Sequence, residues 1–71
     1  MAQQVYAEMV ANVLSVDVAA GQPVDAGATL LILESMKMEI PVLSEAAGVV
    51  AEIKVEPGDV VQEGDVLVVL A

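Results

Sequence analysis

The chain has 71 residues, of which 58% are hydrophobic and only 1% aromatic; a chain this short makes one small domain, which hides about 60% of its unfolded surface on folding. Eleven acidic residues against two basic ones give a net charge of −9, which disfavours nucleic acid and anionic membrane surfaces as partners. With no cysteine and no histidine, disulfides, thiol chemistry, the commonest metal ligand and the commonest general base are all excluded.

Fifteen valines decide the character of the core, because β-branched side chains are stiff and pack well on a pleated surface. No stretch sustains a helical apolar period with caps, so an all-β chain without helices is expected. The longest apolar stretches, such as Val66 to Ala71, fall far short of the roughly 20 residues needed to cross a bilayer as a helix. The N-terminus lacks a basic region and Glu8 interrupts any apolar segment, so no signal peptide is expected and the cytoplasm is the default location.

Taken in chain order, the first clear alternation sets Leu14, Val16 and Val18 against Ser15 and Asp17, the pattern of a half-buried strand. Ala20-Gly21 closes it, a short apolar piece follows around Val24, and Gly27 marks the next turn. Leu30 to Leu33 is then apolar at every position, so this strand is either covered on both faces or reset by a bulge. After an intervening segment the same order returns. Ile53 and Val55 alternate with Glu52, Lys54 and Glu56, Pro57-Gly58 closes the strand, and Val60-Val61 follow. Glu63-Gly64-Asp65 forms a turn leading into Val66 to Leu70, again apolar throughout.

Sliding the chain by 37 residues lays residues 5–34 over residues 42–71 and aligns Val5/Val42, Glu8/Glu45, Val13/Val50, Val18/Val55, Gly21/Gly58, Val24/Val61, Gly27/Gly64, Leu30/Leu67 and Leu33/Leu70. The paired glycines fall in matching breaks between apolar runs. Residues 1–71 therefore read as a single domain of two similar halves, about 5–34 and 42–71, neither able to bury its apolar face alone. A complete domain beginning at Met1 is the simpler reading than a fragment.

Ser35-Met36-Lys37-Met38-Glu39-Ile40-Pro41 has no counterpart in either half. If Leu33 and Ile40 sit on neighbouring antiparallel strands, Glu34 faces Glu39, Ser35 faces Met38, and Met36 and Lys37 hold the central turn positions. Lys37 then projects into solvent. Tight hairpins favour Asn-Gly or Asp-Gly, because the central residues need positive φ. Met-Lys has no such advantage, facing glutamates repel, and methionines at a tip add little to the core. Three local rules broken in an otherwise consistent sequence point to function here. Lys37 and Lys54 are also the only lysines, so a lysine-directed modification has few places to go.

Glu34-Ser35-Met36-Lys37-Met38-Glu39-Ile40 resembles the attachment motif of the biotinyl domains of biotin-dependent carboxylases, where a lysine between two methionines carries the cofactor. The resemblance to the biotinyl/lipoyl attachment family covers almost the whole chain, since its members also show two similar halves with glycine turns where Gly21, Gly27, Gly58 and Gly64 stand and a glycine at the place of Gly48. It implies a flattened β-barrel or sandwich of two antiparallel sheets with quasi-two-fold symmetry, a barrel-sandwich hybrid with the lysine on a hairpin tip. The chain departs from the family pattern at Glu8 and Glu45, where relatives often have proline, and at Ala11, where glycine is frequent. The thumb insertion of some bacterial carriers is absent, and the shortness resembles small stand-alone biotin/lipoyl attachment proteins.

The resemblance implies that biotin protein ligase couples biotin to Lys37 as an amide, with Met36 and Met38 as a flanking recognition collar and Glu34, Ser35 and Glu39 as ligase contacts. Lysine amines in water are protonated at neutral pH, so removal of the proton falls to the ligase. The tethered biotin would then carry carboxyl between biotin carboxylase and carboxyltransferase subunits, the carrier itself catalysing neither step. Isolated, the chain is expected to be a monomer. A lipoyl carrier of a 2-oxo-acid dehydrogenase or glycine cleavage system is the nearest rival, with lipoate on the same lysine. Relatives of that kind usually place Asp before and Ala after the lysine, so Met36 and Met38 favour biotin. A second rival, from a different class, is an unmodified interaction module that docks through its tip and acidic surface. No catalytic residue is expected, because Ser15, Thr29, Ser35 and Ser44 have no histidine to activate them. No metal site is expected either, because no acidic stretch has the loop spacing of a calcium site.

Overall fold

The computed structural model describes residues 3–71. Strands form where valine- and leucine-rich stretches lie between glycine, proline and acidic turns: β1 (Gln3–Tyr6), β2 (Ala11–Val16), β3 (Pro23–Val24), β4 (Thr29–Ser35), β5 (Met38–Leu43), β6 (Gly48–Ile53), β7 (Val60–Val61) and β8 (Val66–Leu70). Among the described residues there is no helix.

The strands make two four-stranded sheets, ordered β1-β8-β6-β3 and β5-β4-β2-β7, and every pairing is antiparallel. Adding 37 to the bounds of β2 and β3 gives those of β6 and β7. Exchanging β1 with β5, β2 with β6, β3 with β7 and β4 with β8 turns one sheet order into the other. That is the quasi-two-fold symmetry of the sandwich, and it has a consequence for stability. Each sheet takes two strands from each half of the chain, so neither half contains a complete four-stranded sheet of its own.

Backbone hydrogen bonds at the turns join the halves in the same symmetric way. Gly21 N donates to Val50 O at 2.7 Å and its counterpart Gly58 N to Val13 O at 2.8 Å; Gly27 N donates to Ser44 O at 2.7 Å and Gly64 N to Ala7 O at 2.9 Å. All four glycines have φ between 88° and 96°, a region that side chains with a Cβ resist. The sequence places glycine there because the turn must hold that backbone conformation while its N–H reaches across to the other half.

The core lies between the sheets and obeys the same exchange: Val13 with Val50, Val24 with Val61, Leu30 with Leu67, Leu31 with Val68 and Leu33 with Leu70 are all buried. Each such side chain contributes about 1.5–3 kcal/mol through burial. Leu30 and Leu31 are adjacent yet both 0% exposed, because the β4–β5 register skips from Thr29↔Leu43 to Leu31↔Val42 and leaves Leu30 as the extra residue of a bulge. Leu67 takes the same place in β8, between Val5↔Val68 and Tyr6↔Val66. Of the two explanations for the unbroken apolar runs, the bulge is therefore the operative one.

A second pair of bulges corrects the expected alternation in β2. The β2–β4 register passes from Val13↔Leu33 to Ser15↔Ile32, leaving Leu14 unpaired and 41% exposed. The inward residues of this strand are Ala11 and Val13, not Leu14. Ala51 occupies the equivalent position in β6, between Val50↔Leu70 and Glu52↔Val69.

Candidate functional site

β4 and β5 continue past the sandwich as a hairpin whose register runs Leu33↔Ile40, Glu34↔Glu39 and Ser35↔Met38. Two residues remain for the turn, Met36 with φ 53° and Lys37 with φ 65°. Positive φ at both central positions is the type I′ arrangement, the turn whose twist matches that of flanking antiparallel strands. Among the described residues they are the non-glycine ones with positive φ, and a side chain held there costs about 1–2 kcal/mol. The continuous β4–β5 ladder enforces this strained tip. The quasi-two-fold exchanges it with the pairing Gln3↔Leu70, so the tip and that pair lie on opposite sides of the axis.

All six residues singled out from sequence gather here. Met36 is 88% exposed and Met38 58%, Lys37 and Glu39 are exposed, and Glu34 and Ser35 are half-buried. Strand alternation puts Glu34 and Glu39 side by side on the outer sheet face, next to Asn12, which pairs with Glu34 from β2. Leu33 and Ile40 point the other way, towards the core. The other lysine is placed differently. Lys54 lies just past β6 and forms an ion pair with Glu52, whereas among the described residues the Lys37 amine forms none.

One feature without a sequence signal is a groove of about 320 Å³ between edge strands β1 and β5. Val5, Tyr6, Ile40, Val42, Glu8 and Glu45 are among the residues that line it. Its walls come from the two halves, so no local pattern announces it. Pro41 sits in β5, where an edge strand tolerates the missing N–H.

A small antiparallel sandwich that holds a lysine amine at a strained, apolar-flanked turn defines a carrier module, a scaffold for presenting a side chain. The chain belongs to the biotin/lipoyl attachment family, since its residues 1–70 match the family described as "Biotin-requiring enzyme". It is 51% identical over 71 residues to the biotinylated protein TB7.3 homolog of Mycobacterium leprae (strain TN), covering 100% of both chains. Over 64 residues it is 47% identical to the biotin/lipoyl attachment protein of Bacillus subtilis (strain 168), covering 90% of this chain and 88% of that one. The fold superposes on part of the crystal structure of the Kluyveromyces lactis urea carboxylase with a TM-score of 0.94 and 32% identity, covering 100% of this chain and 6% of that one.

Proposed function

We propose that this chain is a biotin carboxyl carrier module and that the Lys37 amine is the atom to which biotin is joined. Membership of the family and the likeness to proteins described as biotinylated support the class. The observation that carries the assignment to Lys37 is its place: an exposed residue with φ 65° at the apex of a two-residue turn, without an ion-pair partner among the described residues. A primary amine held clear of the sandwich fits amide formation with a carboxylate such as that of biotin.

Bound there, biotin would supply a ureido nitrogen able to accept and release a carboxyl group. The chain's own residues do simpler things. The β4–β5 ladder fixes the direction of the tip, Met36 and Met38 surround the amine with adaptable apolar surface, and Glu34 and Glu39 offer charge to basic groups on a partner. Biotin protein ligase would first join the biotin carboxylate to AMP from ATP, releasing pyrophosphate; it would then take a proton from the Lys37 amine, which displaces AMP to form the amide. A carboxylase and a carboxyltransferase would meet the tethered group at an effective concentration set by the arm. The module catalyses neither step. Likeness to a domain of a urea carboxylase supports carboxylase partners of this general kind.

Incubation with biotin, ATP and biotin protein ligase tests the attachment point. The expected result is one adduct on the unaltered chain, none on Lys37→Arg and one on Lys54→Arg. An adduct on Lys37→Arg would move the assignment to Lys54. Lipoate on the same amine is the second reading, favoured by the Bacillus subtilis relative, which is described as a biotin/lipoyl attachment protein; parallel incubation with lipoate and its ligase compares the two.

A further inference from the structure

We propose that Met36 is a site of reversible oxidation to the sulfoxide, with Met38 a slower second target, and that this oxidation controls whether the tip is accepted for loading. The inference rests on the reading of Lys37 as the attachment point. The chain contains no cysteine and no tryptophan, so methionine sulfurs are its readiest targets for a mild oxidant. Exposure falls from 88% at Met36 to 58% at Met38 and 37% at Met9, and that order sets the order of attack. The strained turn contributes too. With φ at 53°, Met36 is held out at the end of the ladder, and its sulfur has no core surface to fold against.

The oxidant is hydrogen peroxide. A sulfur lone pair attacks one peroxide oxygen, the O–O bond breaks and an S–O bond forms; the departing hydroxide takes the proton of the transferred oxygen and leaves as water. Sulfur is oxidised by two electrons, and the peroxide is reduced by the same two. A flexible apolar thioether thereby becomes a polar sulfoxide, which methionine sulfoxide reductases return to the thioether. The lysine side chain extends only a short way beyond the turn, so a ligase that reaches the Lys37 amine also encloses the neighbouring methionines. An added oxygen enclosed without a hydrogen-bond donor slows that step by about tenfold.

The test begins with the full chain in dilute hydrogen peroxide, followed by peptide mass mapping. Among the methionines of the described residues, one-oxygen gains are expected at Met36 first, then Met38, with Met9 lagging. Loading by biotin protein ligase is then timed on untreated, oxidised and reductase-treated protein. The expected pattern is fast, about tenfold slower, and fast again. A chain carrying Met36→Leu and Met38→Leu is expected to load equally with and without peroxide, whatever its basal rate. Equal rates for untreated protein and protein oxidised at both positions would overturn the inference, as would oxidation of Met9 before Met36. Failure of the untreated chain to load at all would instead remove the reading of Lys37, and the inference with it.

Discussion

Met36 and Lys37 occupy the two positions where a type I′ turn asks for asparagine or glycine, so the tip is held against the preference of its own residues. Replacing Met36 with asparagine, which tolerates positive φ, is expected to raise stability by about 0.5–1 kcal/mol, read as a higher urea midpoint at unchanged slope. An unchanged midpoint would mean that the turn stores no strain. Glu34 and Glu39 lie directly opposite each other, and like charges in that relation repel. Glu34→Gln with Glu39→Gln is expected to stabilise the chain by a few tenths of a kcal/mol while slowing loading by the ligase. An unchanged loading rate would leave the pair as solvated charges without a docking role. These features were legible before the fold, because the segment from Ser35 to Pro41 broke turn and pairing rules that the rest of the sequence respects.

At the scale of strands, the glycine turns and the paired apolar runs could be read from the sequence, with a bulge as one of two readings of those runs, but which reading holds, and the further bulge at Leu14, could not. Bulges shift register by a single residue, and both sides of each shift are apolar: Leu30 beside Leu31, Val13 beside Leu14. Alternation alone therefore assigned Leu14 to the inner face, whereas it is 41% exposed and Leu30 fully buried. The difference in cost is large enough to measure. Leu30→Ala is expected to cost about 2–5 kcal/mol and Leu14→Ala less than about 1 kcal/mol, compared by denaturant unfolding. Similar losses at both positions would contradict the bulged register. The groove between β1 and β5 was equally illegible, since its walls come from segments far apart in sequence that meet only through the exchange of strands between sheets.

For the whole molecule, the shared sheets explain how a chain of 71 residues with no phenylalanine or tryptophan makes one cooperative core. The strands of each half are completed by the other, the turns are bonded across, and the long axis of 32 Å against 18 and 17 Å gives an elongated body with the hairpin tip and the Gln3↔Leu70 pair on opposite sides of its symmetry axis. The acidic surface, at a net charge of −9, leaves the approach to the tip favourable for basic docking surfaces. Intact-mass measurement with peptide mapping, on protein purified from its native host, tests the central claim most directly. One biotinyl group per chain, located at Lys37, is the expected result; protein without any prosthetic group, or with its adduct at Lys54, would contradict it.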